Sequence, residues 1–227
     1  MCSIAAALSA DGAIDHFNSS HLLRFGKRDG TLSPRVAALE AEVESASMDV
    51  MVSRYIVPIL WEKWVMLACL AGMNCLMRVD LTTVLDAPGG RALCLQRALC
   101  LQVQDECSAI AAACGHPLRS QVLDDVRDFI ASPTDVFTTP MLHDLELGRR
   151  TEADHVIGDL LARGGAKGVD APLLRVAYCH LKAHELRCRK VLGSTYHRQA
   201  PTPRLTHRGP PRPWSSGSEA SANSTMI

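Results

Sequence analysis

Few residues in this 227-residue chain stand at spacings that could do chemistry. His180 and His184 lie four apart, a spacing that puts two metal ligands on one face of a helix. No third ligand follows at a suitable distance, and Glu185 falls on another face, so no metal site is expected. Gly164-Gly165-Ala166-Lys167-Gly168 is glycine-rich like a phosphate cradle, but it sits late in the chain and reads as the end of a helix and a loop. No Ser-His-Asp arrangement has motif context. Asp124, Asp125 and Asp128 read as a solvated helix face. Lys63, within Leu60-Trp61-Glu62-Lys63-Trp64-Val65, taken by itself is a charge near the start of a helix. Glu152, after Gly148-Arg149-Arg150-Thr151, taken by itself is a first-turn acid favoured by the helix dipole.

The elements that must position these residues change character along the chain. Residues 3–8, 13–17 and 21–25 read as short strands, Asp11-Gly12 and residues 27–30 as turns. Ser33-Pro34 opens a helix to about residue 46, with Ser33 as N-cap and Val36, Leu39 and Val43 as its apolar stripe. Residues 48–53 form one more strand, so the first 54 residues look like the tail of an α/β domain. From 55 to 190 six helices are expected, at about 55–78, 90–114, 121–131, 139–147, 153–163 and 172–190. Gly115-His116-Pro117 is a stop signal. Prolines 201, 203, 210, 211 and 213 then interrupt any periodicity, and residues 191–227 read as disordered. Arg91–Gln96 and Arg97–Gln102 repeat the same hexapeptide. Six residues advance a helix by about 600°, so the downstream face is displaced by about 240°, and removal of one copy is expected to raise the melting temperature.

Composition narrows the classes further. A formal net charge of +0 gives no field for nucleic acid, and Ala and Leu favour helix. The apolar run from Trp64 to Met77 is shorter than the roughly 20 residues a bilayer needs, so it reads as a buried helix. The nine cysteines form no C-x-x-C pair, and no secretory signal opens the chain. A cytoplasmic protein with reduced thiols is expected, with Cys69, Cys75, Cys94, Cys107 and Cys179 in small apolar positions.

Leu60-Trp61-Glu62-Lys63 and Met141-Leu142-His143-Asp144-Leu145-Glu146, the latter followed by Gly148-Arg149-Arg150-Thr151-Glu152, Asp154 and Gly158, come in the order and spacing of the ketopantoate reductases. Gly168-Val169-Asp170-Ala171-Pro172 matches that family's turn before the last helix. The resemblance covers about residues 1–190. It implies a mainly α fold: a six-helix C-terminal domain of the ketopantoate reductase / 6-phosphogluconate dehydrogenase-like type, here residues 55–190, preceded over 1–54 by an α/β remnant of a Rossmann domain. It implies NADPH-dependent reduction of 2-dehydropantoate to pantoate, in pantothenate and coenzyme A synthesis. Lys63 would give the proton to the developing alkoxide, Glu152 would contact the substrate, and Thr139 and Asp154 would complete the substrate site. A small 2-oxo acid is the implied partner, without nucleic acid or membrane, and a homodimer is left open.

Several positions depart from the family pattern. The asparagines that follow the family's lysine by four and eight residues are Leu67 and Ala71 here, and the family's substrate serine is Pro140, beside Thr139. No G-x-G-x-x-G fingerprint occurs anywhere in the chain, so no cofactor-binding residue is assigned. The family's N-terminal catalytic asparagine is missing too. The chain alone is therefore expected to be inactive, and a non-catalytic helical interaction or dimerisation module, or a relict, is the alternative.

Overall fold

The computed structural model describes residues 1–4, 6–8, 12–16, 21–46, 48–95, 99–132 and 138–199. It divides into two units, Met1–Lys190 and Val191–Ile227. The strand-rich start forms short pairings. β1 (Cys2–Ser3), β4 (Leu22–Phe25) and β5 (Asp49–Val52) make a three-stranded sheet in the order β1-β4-β5, while β2 (Ala6–Leu8) and β3 (Ile14–His16) pair as a separate antiparallel hairpin. β4 and β5 run parallel, Leu22 opposite Asp49 and Phe25 opposite Val52. Helix α1 (Pro34–Ser45) connects them as the crossover that parallel strands require.

Pro34 occupies the first turn of α1 as expected, but the Ser33 hydroxyl makes no cap bond. The Ser33 carbonyl instead receives the Val36 and Ala37 amides. Only Val36 of α1 is buried, and Leu39, expected on its apolar stripe, is 47% exposed. Sheet and helix together hold little core.

The core belongs to the helices. α2 (Ile56–Met77) is apolar on almost every side, and such a helix has to be buried. It is longer than the apolar run seen in the sequence, and by length and composition alone it could cross a membrane. Here Val65, Ala68, Cys69, Leu70 and Cys75 are packed inside the protein. α2 lies mainly against α5 (Cys100–Ala113), and Ile110, Leu145, Ile157, Leu160, Leu174 and Leu181 close the core around them. The other helices are α3 (Leu81–Asp86), α4 (Gly90–Leu95), α6 (Ser120–Ala131), α7 (Pro140–Glu146), α8 (Asp159–Ala166) and α9 (Pro172–Gln199), with a π-helical turn at Asp154–Gly158 leading into α8.

The fold is mainly α with a small α/β part before it, as the sequence indicates, but three details differ. α3 was not expected; Asp80 starts it by accepting the Thr83 amide at 3.0 Å. The expected helix at 90–114 is broken into α4 and α5 at the duplicated hexapeptide. α9 runs to Gln199, so residues 191–199 are helical rather than disordered, while 200–227 lie outside the described residues. The stop at Gly115 holds, with φ of 85° just beyond α5, and Gly168, at φ 71°, closes the loop after α8 without forming a cradle. Cys69, Cys75, Cys94 and Cys107 are buried as expected, but Cys179 faces solvent on α9.

Candidate functional site

The Leu60-Trp61-Glu62-Lys63-Trp64 stretch lies near the start of α2, and successive residues there point about 100° apart. Its side chains consequently serve different surfaces. Trp61 and Trp64 meet at 4.9 Å between ring centroids, His116 stacks on Trp61 at 4.7 Å, and the Arg163 guanidinium lies 5.3 Å from the Trp64 ring. Glu62 is 7% exposed, and Arg119 donates to both of its oxygens at 2.6 Å. Lys63 points elsewhere: its ammonium donates to the Cys2 carbonyl of β1 at 2.6 Å. The Trp64 indole donates to the Val156 carbonyl at 2.8 Å, which ties the helix carrying Lys63 to the turn that follows Glu152.

Glu152 is exposed and forms no side-chain hydrogen bond or ion pair with another described residue. Its backbone is held firmly. Its carbonyl receives the His155 and Val156 amides, and its neighbour Thr151 donates its hydroxyl to Glu185 at 2.7 Å. Lys182 donates to Glu185 at 2.6 Å and to Asp154 at 2.8 Å, and the Tyr178 hydroxyl donates to Asp154 at 2.7 Å. Both Asp154 oxygens are thus engaged within the protein. Thr139 is 2% exposed and caps α7, its hydroxyl accepting the Leu142 amide at 3.4 Å. The structure therefore groups Glu152 with Thr151, Asp154, Tyr178, Lys182 and Glu185, and gives Thr139 a structural task. Lys182, Glu185 and Tyr178 were missed as partners because nothing in their spacing on α9 shows what lies across from them. Leu67 is half-buried and Ala71 buried, so neither position offers a polar group.

Hydrogen bonds from Lys182 and Tyr178 hold Asp154 below its usual carboxylate range. Burial pushes Glu185 up, but hydrogen bonds from Lys182 and Thr151 outweigh it and leave this group lowered as well. Both carboxyls bind a proton less readily when folded, so their stabilisation is present above their unfolded pKa values near 4 and is lost as pH falls through the folded values. Melting temperature is expected to drop on acidification below about pH 4. In Lys182→Ala this acid dependence should be flatter; a parallel pair of melting curves across that range would show the lysine to be idle.

A dinucleotide would need backbone amides and an open glycine turn after a strand. The β4–α1 loop carries Gly26 and Gly30, but both are used for close packing. A Cβ on Gly26 would lie 2.0 Å from the Ser53 carbonyl oxygen, and one on Gly30 would lie 2.8 Å from that of Arg54. Pro34 removes one amide at the start of α1. A groove of about 510 Å³ beside that helix is lined by Leu32, Val36, Glu40, Val52, Arg54 and Tyr55, and the Glu40 carboxylate would repel a pyrophosphate. The described residues do not fit a nicotinamide dinucleotide. Among them, no group of three or more His, Cys, Asp or Glu residues could hold a metal ion.

The helical domain around α2 carries Lys63 and Glu152 on elements tied by Trp64. Residues 56–185 match the family described as ketopantoate reductase PanE/ApbA C terminal, and the chain belongs to that family. It is 28% identical over 187 residues to the uncharacterized oxidoreductase YkpB of Bacillus subtilis (strain 168), covering 82% of this chain and 59% of that protein. The structure of 2-dehydropantoate 2-reductase from Methylococcus capsulatus superposes with a TM-score of 0.69 at 27% identity, over 83% of this chain and 62% of the other. D-mandelate dehydrogenase, solved with NADH, shares the fold at a TM-score of 0.68 and 16% identity, over 82% of this chain and 60% of its own. The chain thus spans about 60% of the length of the relatives it matches.

Proposed function

We propose that this chain supplies the substrate-side wall of a reductase of small 2-oxo acids, with 2-dehydropantoate as substrate and pantoate, a precursor of pantothenate and coenzyme A, as product. NADPH is the reductant the family resemblance implies. Because the described residues do not fit it, the chain alone does not turn over. The observation that carries the reading is the Trp64–Val156 hydrogen bond, which holds the Lys63 helix and the Glu152 turn together.

Lys63 would release the Cys2 carbonyl and donate a proton to the substrate oxygen as the ketone becomes a hydroxyl. Glu152, free and exposed on a turn fixed by Thr151 and Asp154, would accept a hydrogen bond from a substrate hydroxyl. Thr139 is buried as a helix cap and both Asp154 oxygens are bonded within the protein, whereas Lys63 has one exposed contact, to the Cys2 carbonyl, to give up, so Lys63 and Glu152 carry the site.

The test is binding of pantoate to the purified chain, beside an NADPH oxidation assay with 2-dehydropantoate. Pantoate should bind, and Lys63→Ala and Glu152→Ala should each weaken it about tenfold, roughly 1.4 kcal/mol. NADPH oxidation should stay at background. Turnover that disappears in Lys63→Ala would overturn the cofactor argument. Absence of pantoate binding would favour a non-catalytic helical module, the reading that the filled Gly26 and Gly30 positions and the occupied Thr139 support.

A further inference from the structure

His180, His184 and Arg187 lie on α9 at spacings of four and three, hence on one face. Arg78, the C-cap residue of α2, meets that face. Its Nη2 donates to His184 Nδ1 at 3.0 Å, and Arg187 Nη2 donates to the same atom at 3.2 Å. The two guanidinium nitrogens are therefore no more than about 6 Å apart. Accepting from both requires a neutral imidazole with its lone pair on Nδ1. His184 is 8% exposed; burial first, and then the two arginine charges, hold it below the ordinary histidine value. The same causes lower His180.

Three features set this cluster apart. Arg78 and Arg187 both converge on one imidazole nitrogen and neither meets a carboxylate among the described residues. Arg78 has φ of 63° and is the only non-glycine residue with positive φ among the described residues. Glycine or asparagine is the usual occupant of such a helix end, and a larger side chain is strained there. Finally, His180 Nε2 is buried with no hydrogen-bond partner among the described residues.

We propose that Arg78, Arg187, His180 and His184 form a binding site for a phosphate-type dianion, either free phosphate or the phosphate of a nucleoside monophosphate. Each guanidinium presents five N–H donors in a planar fork and spends one on His184, so two forks remain for an anion with several oxygens. The bound charge would favour protonation of His180, whose unpartnered Nε2 would then donate, while His184, with Nε2 facing the Cys188 sulfur at 3.3 Å, stays neutral and holds the two guanidiniums. Arg78 follows Lys63 by fifteen residues, about 22 Å along α2, and none of the four residues is one assigned to the 2-oxo acid.

The full chain would be titrated by calorimetry at low ionic strength with inorganic phosphate and, in a second arm, with adenosine 5′-monophosphate. One saturable site per chain with a dissociation constant below about 1 mM is expected. The imidazole resonances of His180 and His184 should move, with the pKa of His180 rising on binding. Arg187→Gln should weaken binding at least about tenfold, and Arg127→Gln should leave it unchanged. Arg78→Gly separates binding from folding: it relieves the left-handed strain and removes the guanidinium, so melting temperature should hold or rise while binding is lost. Tighter binding of the nucleotide than of phosphate by about tenfold would assign a nucleotide source, and equal binding free phosphate. Phosphate binding that persists in Arg78→Gly, or no saturation by either probe up to about 10 mM, would overturn the proposal.

Discussion

Replacing Glu106 by alanine is expected to destabilise the chain by about 3 kcal/mol, because it removes one carboxylate from a buried and a part-buried amide. Glu106 stands on α5 and is 8% exposed. Its oxygens accept the Leu173 and Leu174 amides at 3.2 and 2.9 Å. Those amides belong to the first turn of α9, where no carbonyl of the same helix can reach them. A carboxylate there also faces the positive end of the helix dipole, worth up to about 2 kcal/mol in a partly buried setting. Alanine leaves both donors unsatisfied beside Leu174, which is fully buried. Glutamine keeps one acceptor oxygen and should lose about half as much. For a unit of this size, 3 kcal/mol corresponds to a fall of roughly 6–12 °C in melting temperature. Denaturant titration of the two variants would check it; a loss under about 0.5 kcal/mol in the alanine variant would mean that water replaces the carboxylate at this helix end.

Nothing in the sequence around Glu106 suggested this role, since its partners lie 67 and 68 residues away. The same limit separates what was legible here from what was not. Periodicity showed α2, α6 and the βαβ unit, because their signals are local: the Pro34 start, the apolar run of α2, the stop at Gly115. The motif around Lys63 and Glu152 was legible by resemblance, and Trp64 does join the two elements. Thr139 was placed in the substrate site because it adjoins Pro140, where the family has its substrate serine. The proline, however, is the first residue of α7, which makes Thr139 its cap. Asp154 was visible as a motif residue, but its bonds to Tyr178 and Lys182 depend on how α9 packs against the π-helical turn. α3 escaped notice because six residues are too few to show a period.

Excision of one copy of the duplicated hexapeptide is expected to lower the melting temperature, reversing the expectation from sequence. Removing either copy yields the same chain, so the result does not depend on which is deleted. In a continuous helix the extra six residues would turn the downstream face by about 240°. The protein discards that rotation by starting α5 afresh at Cys100: Leu99, at φ −141° and ψ −68°, is not helical, and its amide bonds to the Leu93 carbonyl at 3.0 Å. Both copies then contribute to the core: Cys94 and Cys100 are fully buried, Leu99 nearly so, and Leu93 packs against them. The excised chain has one Leu-Cys pair where two positions need filling. α4 cannot slide to compensate, because a Cβ on Gly90 would lie 1.6 Å from the Val84 carbonyl oxygen, leaving that end of the helix pressed against α3. Losing a leucine and a cysteine from packed positions costs about 3 kcal/mol, more than one healed helix break returns. A lower melting temperature in the excised chain would show that the fold has absorbed the duplication into its core. A higher one would mean that the junction between α4 and α5 is strained and that a single continuous helix is the better solution.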